Sequence, residues 1–191
     1  MLVACDLDEV LADLIPPLIH YHNTMYGTNL SKDKVHRYNL WEVWGGTKEE
    51  AINKVHDFYL TEDFKNILPV PDSQKAISVL SKKNELIIIT SRPTHLYDNT
   101  ISWVEKHFPN LFSEVYLTNQ WSKSNPGKSK SEVCTDLGVN LLIEDSFDHA
   151  KECAQSGVKI LLMDRPWNQE QNLPQGITRV KSWEEVVQQF K

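Results

Sequence analysis

The chain has 191 residues, of which 40% are hydrophobic and 24% are charged, so it can bury a core as one domain or as a domain with an insertion. Its formal net charge of −6 disfavours a nucleic-acid polymer as the main ligand, because binding along a nucleic-acid backbone requires clustered Lys and Arg. A small phosphorylated molecule remains compatible with this charge if local cations and a metal offset it.

The cysteines and the start of the chain indicate the compartment. Cys5, Cys134 and Cys153 lie far apart without CxxC spacing, which is typical of buried thiols in a reduced protein. The first residues already have the pattern of a core strand, and no long apolar stretch follows. We therefore expect a cytoplasmic protein with neither a secretion signal nor a membrane partner.

The first predicted strand, Leu2–Cys5, runs directly into two aspartates, Asp6 and Asp8. Asp is unfavourable in strands, and two carboxylates this close together repel each other unless a cation or a shared proton relieves them. A divalent metal is the usual relief. The pair therefore predicts a site at the end of a buried strand.

The segment that follows, residues 14–68, contains no convincing pattern of a buried strand. Two helical patterns flank a turn-rich middle at 39–47, and Pro69 and Pro71 close the segment. We predict that residues 14–68 form a helical insertion over the end of the first strand.

The rest of the chain alternates short β-branched runs with amphipathic helical patterns. Continuous rather than alternating hydrophobicity predicts strands buried on both faces, and hence a parallel sheet covered by helices. This βαβ rhythm predicts a doubly wound α/β fold. In chain order the predicted elements are a helix at 73–83 capped by Asp72, a strand at 86–89, a helix at 96–108, a strand at 115–117, a helix at 131–137, a strand at 141–143, a helix at 147–155 and a strand at 158–163.

Polar groups follow these strands where ligands bind in open parallel sheets, beyond the carboxyl ends. Thr90-Ser91-Arg92 follows the strand predicted at 86–89, and Glu144-Asp145 follows the strand predicted at 141–143. Lys128 and Lys130 precede the helix that leads to the strand at 141–143. Together with the two aspartates they supply carboxylates for a cation, donors for an oxyanion and a lysine that neutralises charge. This combination indicates phosphoryl transfer.

These motifs resemble those of the haloacid-dehalogenase-like (HAD) hydrolase superfamily, and the match spans essentially the whole chain. The chain is most similar to the 5'(3')-deoxyribonucleotidase, or cytosolic type C 5'-nucleotidase, branch and its bacterial relatives. The segments that carry this likeness are 8–13, 68–71, 90–93, 142–146 and 164–168. Two positions depart from the commonest pattern, because Glu9 stands where glycine is frequent and Glu144 where another aspartate is frequent.

The resemblance implies a Rossmann-like HAD core formed by residues 1–13 and 69–191, with residues 14–68 as a small helical cap. It also implies a Mg²⁺-dependent phosphomonoester hydrolase, a 5'(3')-nucleotidase acting on (deoxy)nucleoside monophosphates through an aspartyl-phosphate intermediate. Its partner would be a small phosphomonoester. The oligomeric state stays open, with a homodimer as one alternative.

The resemblance assigns roles to single residues. Asp6 would attack phosphorus, and Asp8, kept protonated by its neighbour's charge, would donate a proton to the leaving alcohol and later take one from water. The Asp6 carboxylate, the Asp8 backbone carbonyl and the Asp145 carboxylate would hold Mg²⁺. Glu144 would act on these ligands without binding the ion itself.

The phosphate oxygens would be bound by the Thr90 hydroxyl and the Ser91 amide. Lys130 would hold Asp6 and the phosphate in register, although Lys128 remains an alternative. Arg92 would contact phosphate or sugar, unless it forms a salt bridge with a carboxylate of the insertion.

Substrate choice is expected to depend on the aromatic residues of the insertion. Tyr38, Trp41 and Trp44 are the candidates for stacking on a nucleobase. The alternative is that such rings form the small core of the insertion itself. Trp167 and Asn168 are interpreted as residues that order a loop.

Other functions remain open at this stage. The same catalytic groups suit a phosphatase of sugar phosphates or of other small phosphomonoesters, and the same fold suits a non-catalytic nucleotide or phosphate sensor. Residues 126–129 resemble the end of a P-loop, but Ser122 stands where that motif requires glycine, so a P-loop NTPase is disfavoured.

Overall fold

The computed structural model describes residues 1–37, 39–122 and 127–191 and has a six-stranded parallel sheet in the order β3-β2-β1-β4-β5-β6. The strands are Leu2–Cys5 (β1), Glu85–Thr90 (β2), Glu114–Leu117 (β3), Leu141–Glu144 (β4), Lys159–Met163 (β5) and Ile177–Val180 (β6). The helices are Ile15–Tyr26 (α1), Trp41–Trp44 (α2), Lys48–Tyr59 (α3), Glu62–Lys65 (α4), Ser73–Leu80 (α5), Tyr97–His107 (α6), Lys130–Leu137 (α7), Phe147–Gln155 (α8) and Trp183–Gln188 (α9).

Strand β1 lies in the middle of the sheet and pairs with β2 on one side and β4 on the other. Val3 lies opposite Leu86 of β2 and Leu141 of β4 in parallel register. The strand order reverses direction at β1, and in doubly wound sheets such a reversal opens a crevice at the carboxyl ends of the strands. The fold thus places the groups that follow β1, β2 and β4 around one crevice.

Helices cover both faces of the sheet. Val3 and Cys5 of β1 belong to one apolar cluster, which includes Trp103 of α6 and Trp183 of α9, whereas Ala4 belongs to a second cluster. The second cluster contains Cys134 of α7 together with Ala150 and Cys153 of α8. Successive strand residues point to opposite faces, so this division confirms the predicted doubly wound α/β fold.

Between β1 and β2, the described residues 15–37 and 39–67 contain helices α1 to α4 and lie outside the sheet, beside the residues that follow β1. Ile15, Val55, Phe58 and Phe64 of these helices join the first apolar cluster, so the insertion and the sheet share a continuous core. The turn-rich middle contains one short helix, α2, which the sequence pattern did not indicate. No helix in the described ranges is long and apolar enough to cross a membrane.

Three details of the sequence prediction were wrong. Asp72 adopts a left-handed backbone with φ of 65° and makes no side-chain cap to α5. Strand β6 and helix α9 were missed. Residues 177–180 form an edge strand whose two middle residues are not buried, so they lack the continuous apolar run of the central strands, and α9 is only six residues long.

Candidate active site

Three buried carboxylates meet at the ends of two adjacent strands. Asp6 follows β1, Glu144 ends β4, and Asp145 is the next residue after β4. One carboxylate oxygen from each residue lies within 4.8 Å of the others, an arrangement that suits a metal ion. Hard divalent cations such as Mg²⁺ prefer oxygen ligands, and adjacent parallel strands bring these ligands together although they are distant in sequence.

Lys130 at the start of α7 lies between two of these carboxylates. Its Nζ is 2.7 Å from Asp6 Oδ1 and 2.7 Å from Glu144 Oε2, and only 1% of its side chain is exposed. Lys128 instead forms an exposed pair with Asp136 at 2.6 Å. The structure therefore brings Lys130, and not Lys128, to the aspartate that follows β1.

Both oxygens of Glu144 already have partners in the protein. Oε2 pairs with Lys130, and Oε1 accepts hydrogen bonds from the backbone amides of Asp145 at 3.1 Å and Ser146 at 3.0 Å. Glu144 thereby fixes the turn after β4 and the lysine together. Asp6 and Asp145 are the carboxylates of the trio with oxygens available for a metal.

Burial and mutual repulsion change the acidity of this cluster. Burial, reinforced by the charge of Glu144, raises the pKa of Asp6 to about 7, although Lys130 opposes the shift. Burial and the charges of Glu144 and Asp6 also hold the pKa of Asp145 well above its usual value. Burial acts to raise the pKa of Glu144 as well, but Lys130, His149 and the Ser146 amide together outweigh burial and lower this pKa. When all three carboxylates are ionised, Lys130 offsets only one of their charges, and a divalent cation can offset the other two.

Asp145 is oriented by the loop that follows β5. Trp167 Nε1 donates to Asp145 Oδ2 at 2.8 Å, and Asn168 Nδ2 donates to the Asp145 carbonyl at 2.6 Å. Trp167 also lines the cavity beside the site. The sequence identified these two residues only as loop residues. Partners of this kind fix the direction of a metal ligand, as carboxylates at metal sites require.

Glu9 adopts the conformation for which glycine is usually required, with φ of 63°. Its Oε1 accepts a hydrogen bond from the Ile15 amide at 2.6 Å in the first turn of α1, and its Oε2 pairs with Lys32 at 2.7 Å. Arg165 Nε donates to the Glu9 carbonyl at 3.1 Å. The glutamate therefore anchors the helical insertion to the loop after β1, which explains how a residue with a side chain is accommodated here.

Asp8 is held by an arginine from another strand end. Arg92 Nε donates to Asp8 Oδ2 at 2.9 Å and Arg92 Nη2 donates to Asp8 Oδ1 at 2.6 Å. The sequence offered phosphate, sugar or a carboxylate of the insertion as the partner of Arg92. The structure shows a carboxylate of the loop after β1 instead, a contact between residues 84 positions apart that no sequence pattern indicated.

Thr90 and Ser91 lie at the end of β2, beside the same crevice. Both are buried and line the cavity next to Asp6 and Asp8. The Thr90 hydroxyl accepts a hydrogen bond from the Arg92 amide at 3.3 Å, and the Ser91 hydroxyl donates to Gln120 at 3.1 Å. These bonds fix the loop in which hydroxyl and amide groups are available for an oxyanion.

The cavity has about 650 Å³ of open space, part of which opens to solvent. Its floor is the acidic site, and the helical insertion provides an apolar wall. The residues of that wall are Leu14, Ile15, Val35, Leu40, Val55 and Tyr59. The insertion also contributes one cationic side chain to the lining, that of Arg37. A site of this shape takes a molecule with an anionic end and a less polar body.

The two aromatic candidates that the structure describes, Trp41 and Trp44, do not form this wall. Of the described residues, neither Trp41 nor Trp44 lines the cavity. The Trp44 ring stacks on His22 at 4.5 Å, and Trp41 lies beneath Lys48 Nζ at 5.8 Å. Tyr38 lies outside the described residues. The insertion has little interior, so several of its rings pack against neighbouring residues of the insertion.

Trp121 is the aromatic residue that the sequence reasoning missed. It follows β3, lines the cavity, and donates its amide hydrogen to the Ser91 carbonyl at 3.2 Å. Its carbonyl accepts a hydrogen bond from His56 Nε2 of the insertion at 2.9 Å. The strand-end rule that identified Thr90 and Asp145 applies equally to β3 and would have found Trp121.

A family model described as 5' nucleotidase, deoxy (pyrimidine), cytosolic type C protein matches residues 1–190. A 5'(3')-deoxyribonucleotidase of Bacillus subtilis is 29% identical over 187 residues, which cover 96% of this chain and 95% of the relative. A nucleotidase of Clostridium acetobutylicum is 24% identical over 185 residues, with 96% and 90% covered.

Solved structures share the fold at lower identity. A haloacid dehalogenase-like family hydrolase from Streptococcus pneumoniae has a TM-score of 0.75 and 14% identity, covering 100% of this chain and 98% of the other. A HAD-hydrolase from Bacillus subtilis bound to magnesium has a TM-score of 0.68 and 16% identity, with 100% and 98% covered. These similarities show that the architecture is HAD-like.

Proposed function

Because the chain belongs to the cytosolic type C 5' nucleotidase family, we propose that it is a Mg²⁺-dependent 5'(3')-nucleotidase that hydrolyses (deoxy)nucleoside monophosphates through an aspartyl-phosphate. The observation that carries the proposal is the buried contact of Lys130 with Asp6 and Glu144, next to Asp145. A sensor that only binds phosphate has no need of a buried nucleophile with its own counter-cation.

Asp6 is the proposed nucleophile. Its carboxylate lies at the cavity floor, and the Lys130 ammonium at 2.7 Å fixes one oxygen, which leaves the other for attack on phosphorus. The Thr90 hydroxyl, the Ser91 amide and Lys130 bind the phosphoryl oxygens and offset their charge in the transition state. The Asp8 carboxyl group donates its proton to the leaving alcohol and later takes a proton from the attacking water.

The donor set of the site fits Mg²⁺. Asp6 and Asp145 would hold the ion with the Asp8 backbone carbonyl, and Glu144 keeps its bonds to Lys130 and to the turn after β4. When bound, Mg²⁺ supplies positive charge to the phosphoryl oxygens and orients them. The raised pKa values of Asp6 and Asp145 support this assignment, because two buried carboxylates next to a third need such a charge.

The shape of the cavity supports a nucleoside as the leaving group. Residues 14–68 act in this proposal as a cap on a core formed by residues 1–13 and 69–191. The aliphatic side chains of the cap and the Trp121 ring provide surfaces for a base and a sugar, and they exclude water from the reacting phosphate. The free thiols of Cys5, Cys134 and Cys153 fit a reducing compartment such as the cytoplasm.

Phosphate release from a panel of monophosphates tests the substrate. We expect turnover of deoxyribonucleotides and ribonucleotides, and loss of that turnover when EDTA removes the metal, because the buried carboxylates then lack their cation. Sugar phosphates serve as the matched panel. Comparable turnover of sugar phosphates without turnover of nucleotides would contradict the proposed substrate, and activity unaffected by EDTA would contradict the metal.

The effect of Mg²⁺ on thermal stability should depend on pH. The folded-state pKa of Asp6 is about 7, above its usual value of 3.8, so ionising Asp6 costs stability as pH rises between these values. Mg²⁺ binds the ionised carboxylates, and its stabilisation therefore grows over the same interval. We expect Tm to rise by about 5 °C with saturating MgCl₂ near pH 8, and by less than about half of that near pH 5.

Differential scanning fluorimetry measures this shift, with NaCl at equal ionic strength as the control for screening. The Asp145→Asn variant removes a proposed ligand, so its Mg²⁺-induced shift should be much smaller. An equal shift at both pH values, or a full shift in Asp145→Asn, contradicts the assignment of these carboxylates to the metal.

A further inference from the structure

The Arg92 guanidinium fixes the carboxylate plane of Asp8. Its Nε and Nη2 donate to the two different oxygens of Asp8, at 2.9 Å and 2.6 Å. A planar fork that meets a planar carboxylate in this way sets both the direction and the plane of the acceptor. The contact therefore determines the side-chain torsions of Asp8 before a substrate enters.

Arg92 is itself held on its other sides. Nη1 donates to Thr100 Oγ1 of α6 at 3.3 Å, and the guanidinium carbon lies 5.0 Å from the centre of the Phe64 ring. Only 3% of the Arg92 side chain is exposed. All three guanidinium nitrogens have partners, and withdrawing this group toward a substrate would leave the Asp8 carboxylate and the buried Thr100 hydroxyl without these bonds, which is costly.

Asp8 keeps access to the cavity while it is held. Its side chain is 21% exposed and lines the cavity beside Asp6. A carboxylate offers about four acceptor positions on its two oxygens, and the two bonds from Arg92 use two of them. Arg92 can therefore aim Asp8 without blocking it.

We propose that Arg92 is a positioning residue for the proton transfers of Asp8 and not a ligand of the substrate phosphate. The inference rests on the proposed function. In the first displacement an Asp6 oxygen bonds to phosphorus, the bond from phosphorus to the leaving oxygen breaks, and the Asp8 proton passes to that oxygen. In the second, a water oxygen bonds to phosphorus, the Asp6–phosphorus bond breaks, and Asp8 takes a proton from the water as inorganic phosphate forms.

Both displacements need the same carboxyl group at a fixed place, so loss of its orientation slows turnover and leaves binding largely intact. The Phe64 ring belongs to α4 of the helical insertion, whereas Arg92 lies in the loop after β2 and Thr100 lies in α6. The position of Arg92 therefore depends on the contact of the insertion with the core.

Steady-state kinetics of Arg92→Met and Arg92→Lys on the best nucleotide of the panel test the proposal. We expect Arg92→Met to lower kcat about a hundredfold, with KM and the inhibition constant of inorganic phosphate changed by less than about threefold. Arg92→Lys keeps the positive charge but lacks the planar fork, so its kcat should lie between those of the wild type and Arg92→Met. In Arg92→Ala, low concentrations of guanidinium chloride should raise kcat severalfold, and NaCl at equal ionic strength should not.

Lys106→Met is the matched control, because Lys106 and Arg92 line the same neighbouring cleft and Lys106 lies outside the lining of the main cavity. Its kinetic constants should stay at wild-type values. A rise of about tenfold or more in KM and in the phosphate inhibition constant of Arg92→Met would overturn the proposal in favour of a phosphate ligand. A fall in kcat that only follows the loss of folded protein, without rescue by guanidinium, would overturn it in favour of a structural role.

Failure of the proposed function gives a different result. A wild-type protein without phosphatase activity, or full activity in Asp6→Asn, overturns that function and this inference with it. An active wild type, an inactive Asp6→Asn and an unimpaired Arg92→Met would overturn only the role of Arg92.

Discussion

Replacing Asp6 by asparagine should lower kcat by at least about 10⁴-fold, because the amide keeps the shape of the side chain but cannot attack phosphorus. Stability should not fall. Burial and the charge of Glu144 raise the pKa of Asp6 to about 7, so the pocket already favours a neutral group at this position. Lys130 retains its partner Glu144 at 2.7 Å in the variant.

Phosphate release under saturating Mg²⁺ measures this loss, and thermal unfolding in the same buffer measures stability. Asp136→Asn is the matched control, because Asp136 pairs with Lys128 at the surface and has the same chemistry of substitution. Activity of Asp6→Asn within about tenfold of wild type would reject Asp6 as the nucleophile. A large loss of stability would instead show that the lost activity reflects unfolding.

Replacing Lys130 by methionine should affect both stability and turnover. The ammonium is 1% exposed and lies 2.7 Å from oxygens of Asp6 and of Glu144. Removing one partner of a buried ion pair leaves an uncompensated charge, which costs about 3–5 kcal/mol of unfolding free energy. Turnover should fall as well, because Asp6 loses its orientation and the phosphate loses a cation.

Urea denaturation measures the loss of stability, and its pH dependence identifies the cause. The loss should be smaller near pH 5 than near pH 8, since protonated carboxylates no longer need a counter-cation and the raised pKa of Asp6 favours protonation in this range. Saturating Mg²⁺ should restore part of the stability that Lys130→Met loses. Lys128→Met, which removes an exposed lysine two positions earlier, should leave stability and turnover unchanged. Equal effects of the two variants would contradict the assignment of Lys130.

The sequence determined the fold and the chemical class of the site. Continuous apolar runs predicted buried parallel strands. When helices cover both faces of a sheet, successive residues of a strand point to opposite buried faces, so all of them are apolar. The carboxyl ends of such strands share one edge, so Asp6, Thr90 and Asp145 could be assigned to a common crevice from their places after the runs. Strand β6 was missed because an edge strand is half exposed and does not have this pattern.

The tertiary structure alone decided how these groups are paired and what surrounds them. Arg92 holds Asp8 across 84 positions, and Trp167 holds Asp145 across 22. No periodicity encodes such contacts, because they depend on how loops from different strand ends pack at the edge of the sheet. The sequence showed how many aromatic residues the insertion contains, but packing decided which aromatic rings line the cavity. The Trp44 ring stacks on His22, whereas Trp121, from a loop outside the insertion, lines the cavity. Local sequence sets which chemistry is present, and packing sets which side chain each reactive group touches.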